Sequence, residues 1–191
     1  MATATVETRY TPEDLLTMPD EGRFELIGGQ LVERNMGAKS SYAATRLLRL
    51  VGNHSDIHFA GLTFQSDCGF QIFRPDRNRV RYADGSFIRR GRLPGDEPPD
   101  GHCRVPPDLV IEAVSPNDTA REVDEKVEEW LAAGVRLVWV LYPDTKHIYV
   151  HYADGKATKL RAEDELTGDN VLPGFKCRVA DAFRVPRPKA R

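Results

Sequence analysis

Glu112 places an acid inside an otherwise apolar run, Pro107-Asp108-Leu109-Val110-Ile111-Glu112-Ala113-Val114-Ser115-Pro116. Burying a carboxylate costs several kcal/mol unless it is paired, hydrogen-bonded or bound to a cation. A strand that keeps one therefore has a use for it. A polar turn, Asn117-Asp118-Thr119, opens a helical stretch containing Lys126 and Trp130, and Gly134 closes it ahead of a second apolar run, Leu137 to Tyr142. The unit reads strand, helix, strand, with an acid and a lysine facing a common space. Phosphodiester hydrolysis calls for such a set. A cation must neutralise the scissile phosphate and acidify an attacking water, and magnesium is held by carboxylates and backbone carbonyls while keeping several waters.

A second carboxylate must converge on the first. Asp108 shares a strand face with Glu112, but four residues of strand put them roughly 13 Å apart, too far for one ion. A neighbouring strand lies only about 4.8 Å away, and Asp84 heads the extended piece Tyr82-Ala83-Asp84-Gly85-Ser86-Phe87-Ile88. Asp84 and Glu112 are the expected pair. Thr119-Ala120-Arg121-Glu122 fits a capping box. Val123, Val127, Trp130 and Leu131 then form the buried stripe, with Lys126 about 60° from Val123 at its edge. Two placements of Lys126 are open. Its ammonium leans back to the strand ends, orienting water and stabilising charge on phosphorus, or it passes Trp130 and pairs with Glu122 or Glu129.

The elements that must hold these groups are readable from local signals. Thr11-Pro12 starts a short helix. Phe24–Ile27 and Gln30–Glu33 flank Gly28-Gly29 as a hairpin, which puts Glu25 on an early strand. Ser40 or Ser41 caps a helix whose Ala44, Leu47, Leu48 and Val51 recur at helical spacing. Extended pieces follow at 62–65, 70–73 and 85–88, then a mobile loop rich in proline and glycine over 91–107. Asp154-Gly155 marks a two-residue hairpin between 148–152 and 157–160, and Leu172-Pro173-Gly174-Phe175 a turn. The expected fold class is α/β (α+β), one domain over residues 1–185 with a basic flexible tail at 186–191.

The 191 residues, 40% hydrophobic, suffice for one ordinary core, and no apolar stretch is long enough to cross a bilayer. The first residues lack a basic segment followed by an apolar one, so a cytoplasmic protein is expected. Cys68, Cys103 and Cys177 lack the spacing of a disulfide framework or a zinc site. The net charge of −2 gives the whole molecule no reason to approach nucleic acid. Seven arginines nevertheless lie between Arg74 and Arg92, either as a solvated flank or as a patch that holds phosphates. His54 and His58, four apart, read as a surface helix end, and His102 beside Cys103 lacks further ligands. Trp130 and Trp139 read as core. No glycine-rich phosphate loop or Gly-x-Ser-x-Gly elbow is present.

Taken together these segments resemble the PD-(D/E)xK nuclease superfamily, and more closely its Uma-two family of restriction-endonuclease-like proteins. The residues that carry the resemblance run from Tyr10-Thr11-Pro12-Glu13-Asp14-Leu15 through Phe24-Glu25-Leu26-Ile27-Gly28-Gly29, Asp84, the Glu112 strand, Lys126, Gly134-Val135 and Trp139 to Leu172-Pro173-Gly174-Phe175. The resemblance implies a mixed central sheet flanked by helices, a magnesium site that also takes manganese, and Asp84, Glu112 and the Ala113 carbonyl as its ligands. It further implies Lys126 as the catalytic lysine, moved from the usual position two residues after the second acid, here Val114, and Glu25 as a further catalytic acid near the site, either behind the ligands or as a ligand to a second metal. DNA as substrate and a homodimer belong to the same expectation. Two departures stand out: Ala83 replaces the usual proline before the first acid, and Ser40 stands where the family often has histidine. The absent histidine, with the acidic net charge, favours the contrasting reading of a binding module for DNA or protein with feeble or no cleavage.

Overall fold

The computed structural model describes residues 9–19, 21–35 and 37–186. The sequence-based expectations for the first eight residues, and for the basic tail beyond Pro186, lie outside the described residues.

Helix α1 (Pro12–Thr17) begins with the Thr11/Asp14 capping box and proline in its first turn. Strands β1 (Phe24–Ile27) and β2 (Gln30–Glu33) form a hairpin whose two central glycines both take positive φ, the geometry that matches the twist of its arms. Helix α2 (Ala38–His58) is longer than its predicted cap implied. It starts at Gly37, while Ser40 is buried in the first turn and bonds the Gly37 carbonyl and Ser115 Oγ. Strands β3 (Gly61–Gln65), β4 (Gly69–Phe70), β5 (Arg81–Tyr82) and β6 (Gly85–Arg89) follow. The extended piece predicted over 70–73 shrinks to β4, since only its first residue pairs, with β5.

Strand β7 (Leu109–Ala113), helix α3 (Ala120–Ala132) and strand β8 (Leu137–Tyr142) form the predicted strand, helix, strand unit, with β7 and β8 parallel. The chain continues through β9 (His147–Tyr152), β10 (Ala157–Leu160), β11 (Glu165–Thr167), β12 (Lys176–Arg178) and helix α4 (Val179–Phe183). The β9–β10 turn holds three residues between the paired Tyr152 and Lys156, one more than predicted, with Gly155 in the left-handed region. The order β10-β9-β8-β7-β6-β3 makes one six-stranded mixed sheet.

Burial on both faces explains why β7 and β8 read as continuous apolar runs. Leu109, Ile111, Leu137, Trp139 and Leu141 pack with Ala43, Ala44, Leu47 and Val51 of α2. The alternate residues Val110, Val138 and Val140 pack with Val127 and Trp130 of α3. Glu112 belongs to the second set by strand alternation. A third, smaller cluster, Leu15, Leu26, Val80 and Tyr82, ties α1 and the β1–β2 hairpin to the segment around β5. Two reciprocal backbone bonds between Leu26 and Val80 complete that tie. The loop over 91–107 is anchored where mobility was expected: His102 is buried with Nε2 against the Pro12 carbonyl, and Cys103 bridges Phe70.

Candidate active site

The register of β6 on β7 pairs Gly85 with Ile111 and Ser86 with Val110, so one further step sets Asp84 opposite Glu112. Residues directly opposite on antiparallel strands share a face with Cβ atoms about 5 Å apart. Strand β6 begins only after Asp84 because the Asp84 side chain takes over the ladder there, its Oδ2 accepting from the Ala113 amide at 2.8 Å. The Ala113 carbonyl leaves the strand on the same edge as that amide, toward the start of β6.

Glu112 is 8% exposed and both of its oxygens are engaged. Trp130 Nε1 donates to Oε1 at 2.7 Å, and Lys126 Nζ lies 3.0 Å from Oε2. The helix thus brings both groups to the strand end from successive turns of one face, four residues apart. Lys126 Nζ also lies 3.6 Å from Oε1 of Glu25. The reciprocal Leu26–Val80 bonds set Glu25 beside Arg81, whose guanidinium bonds Glu25 Oε2 at 2.6 Å and Glu129 at 2.8 Å. The Tyr82 amide holds the other Glu25 oxygen at 3.1 Å. Arg34 lies over Tyr82, 5.2 Å from the ring centroid, with its guanidinium 3.6 Å from Asp84 Oδ1.

Glu25, Arg34, Asp84, Glu112, Ala113 and Lys126 all line one pocket of about 240 Å³. Val114 lines it too, and Lys126 reaches the same space from α3. The described lining holds seven acidic residues, Glu33, Asp118, Glu122 and Glu125 among them, against Arg34, Arg81 and Lys126. Such a field attracts a cation and repels a bare phosphate.

The charges settle unequally. Burial pushes the Glu112 carboxyl up to about 7, with Asp84 and Glu25 adding to the rise against the opposing ammonium of Lys126. Glu25 goes the other way: burial would raise it, but the charges of Lys126 and Arg81 and the bonds from Arg81 and Tyr82 bring it below the usual glutamate value. Lys126 is raised, because Glu112, Glu25 and Asp84 outweigh its own desolvation. It is therefore a charged donor, not a base, at neutral pH.

No group of three or more histidine, cysteine, aspartate or glutamate side chains is arranged to ligate an ion among the described residues. The donors on offer are the two carboxylates of Asp84 and Glu112 and the Ala113 carbonyl. That all-oxygen set fits magnesium, which takes one or two carboxylates and keeps waters for the rest of its shell.

Other candidates lie elsewhere. Asp108 is buried at the opposite end of β7, accepting from the Arg89 amide and paired with Arg92. His54 and His58 lie against each other on α2, and His54 Nε2 contacts the Pro173 carbonyl. Ser40 lines a neighbouring cavity that also touches Asp84, and is bonded to Ser115. Sequence reasoning missed Arg34, which follows β2 with no pattern around it. It also missed the Trp130–Glu112 bond, for which the spacing of Trp130 to Lys126 was the available signal.

No curated protein sequence matches the chain significantly. The backbone superposes with a TM-score of 0.72 on a crystal structure described as "a putative nuclease belonging to DUF820" from Anabaena variabilis ATCC 29413, at 18% identity over 91% of this chain and 97% of that one. The likeness shows a shared fold: a mixed central sheet flanked by helices. Residues 12–180 match the family model Uma2, described as "Putative restriction endonuclease". With nearly its whole length inside that match, the chain belongs to the Uma2 family.

Proposed function

We propose that this protein is a divalent-metal-dependent endonuclease that hydrolyses DNA phosphodiester bonds. One observation carries the reading: Asp84 and Glu112 face each other across two strands in a pocket where Lys126 stands 3.0 Å from Glu112. Asp84, Glu112 and the Ala113 carbonyl are the ligands for Mg2+, or Mn2+ in its place. The bound ion supplies charge neutralisation at the phosphate and a water of lowered pKa.

The chain's own residues do the rest. Lys126, kept protonated, donates hydrogen bonds to the attacking water and to the phosphoryl oxygens as negative charge builds on them. Glu25 is the positioning residue that holds Lys126, and Arg81 in turn holds Glu25. Arg34, beside Asp84, faces the same phosphate. As water's oxygen bonds to phosphorus, its proton passes to solvent, and the bond from phosphorus to the leaving sugar oxygen breaks, that oxygen taking a proton from solvent. Residues 1–185 act as one unit in this reading, and two copies pair as a homodimer so that both strands are cut.

The test is cleavage of supercoiled DNA with and without Mg2+ or Mn2+, by wild type, Glu112→Ala and Lys126→Ala. Cleavage should need the ion and fall about a hundredfold or more in either variant. Equal behaviour of wild type and Glu112→Ala on every DNA tried ends the enzyme reading. A second reading, a nuclease fold kept for binding alone, is favoured by the engagement of both Glu112 oxygens by Trp130 and Lys126, which satisfies the carboxylate without an ion. It predicts DNA binding with no cleavage at any metal concentration.

A further inference from the structure

The seven arginines between Arg74 and Arg92 do not form one patch. Arg79 and Arg81 pair with Glu129, Arg81 also with Glu25, Arg90 with Asp96 and Arg92 with Asp108. Arg89 lacks a carboxylate partner among the described residues but lines a different cavity, whereas Arg74 and Arg77 are met by Arg104 from the 91–107 loop in one cleft of about 650 Å³. Among the described residues none of these three guanidiniums has a carboxylate partner. Gln71 braces the cleft, donating from Nε2 to the Arg77 carbonyl at 2.9 Å and accepting from Arg104 Nε at 3.2 Å. Asp76 on the same wall is already engaged by the Gly28 and Asn78 amides and by Arg79.

Ala132 and Ala133, at the end of α3, form part of the wall. Three carbonyls of that last turn, those of Glu129, Leu131 and Trp130, already accept from the Ala133, Gly134 and Val135 amides. The same helix joins the cleft to the pocket of Glu112. Lys126 lines the pocket, Glu129 holds Arg79 and Arg81, and Ala133 reaches the cleft roughly 10 Å further along at about 1.5 Å per residue. An acid-rich pocket in a chain of net charge −2 needs cations nearby to keep a polyanion in place.

We infer that the Arg74–Arg77–Arg104 cleft is the seat of the DNA backbone flanking the scissile phosphate, its guanidiniums binding phosphodiester oxygens next to the one that Lys126 faces. The inference rests on the proposed nuclease reading and specifies where its substrate lies.

The experiment measures anisotropy of a labelled DNA duplex and of its single strand with the full chain in EDTA, which prevents cleavage, across a series of salt concentrations. Arg74→Ala with Arg77→Ala should weaken binding about tenfold or more and flatten the plot of log affinity against log salt by about two, one for each phosphate no longer neutralised. Arg74→Lys with Arg77→Lys should recover most of both. Circular dichroism melts of the two double variants check that the fold is kept. If wild type binds and cuts DNA while the alanine variant matches it in affinity and slope, the cleft is not the backbone seat and the nuclease reading stands. If wild type neither binds nor cuts DNA, both fall. Binding of polyglutamate as tight as DNA, abolished in the same variant, overturns the inference in favour of an acidic protein partner.

Discussion

Replacing Trp130 by phenylalanine removes one atom group that matters to the site, the indole N–H, and leaves a ring among Phe70 and Phe73. That N–H donates to Glu112 Oε1 at 2.7 Å in a buried setting. A hydrogen bond to an ionised group contributes about 1.5–3 kcal/mol, and about 1.36 kcal/mol is one pKa unit. The Glu112 carboxyl, already raised to about 7, should therefore climb by about one to two units more in Trp130→Phe. An ion can be held only after that proton leaves, so at about pH 7.5 the variant should bind Mg2+ about 3- to 30-fold more weakly than wild type. The gap should narrow steadily toward about pH 9 and beyond. Calorimetric titration of Mg2+ between about pH 6 and 9 reads the midpoint for each protein, with a thermal melt to confirm the fold. Coincident midpoints would refute the reasoning, because the indole would then have no hold on the charge state of Glu112.

Asp84→Asn keeps an oxygen for the Ala113 amide but loses the charge, so Mn2+ affinity should drop about tenfold or more while the melting temperature moves by only a few degrees; an unchanged calorimetric affinity means the ligand assignment is wrong. Glu25→Gln breaks a buried network shared by Lys126 and Arg81 and should destabilise the protein by about 3 kcal/mol in urea unfolding, with kcat for DNA cleavage falling more than KM rises. Without metal, the raised Glu112 carboxyl contributes stability in full below about pH 4.5, its unfolded value, and loses it as pH climbs through about 7. Melts from about pH 5 to 8 should show that decline, about 3 kcal/mol at most, and Glu112→Gln should flatten it.

How much of this was legible in the chain depended on the range of the signal. The helix start at Thr11-Pro12, the capping box at Thr119 and the glycine pair at 28 and 29 act within a few residues, and each appears as read. The doubly buried β7 and β8 were legible because burial on both faces writes an uninterrupted apolar run, against which Glu112 stands out. The facing of Asp84 and Glu112 was argued from strand spacing alone, and the register places them opposite. Cap competition was not legible: Ser40 looks like an N-cap, yet its hydroxyl finds Ser115, 75 residues away, and the helix starts at Gly37. The arginine run stayed open between two readings for the same reason. A count of positive charges between 74 and 92 says nothing of which carboxylates the fold will bring to them.

The pocket, too, is built from groups whose charge is fixed by partners on other elements. Arg81 and Lys126 depress Glu25, while burial, Asp84 and Glu25 raise Glu112. Two glutamates about equally hidden from water are thus shifted in opposite directions. In the proposed reading the difference decides where a metal ion would bind. Glu25 is already matched by two cations and has little to gain from a third. Glu112 has one ammonium against two neighbouring carboxylates, so an added divalent ion relieves it most. In the proposed reading the acid on β7 is therefore the one that would draw the ion, with Glu25 left to hold the lysine.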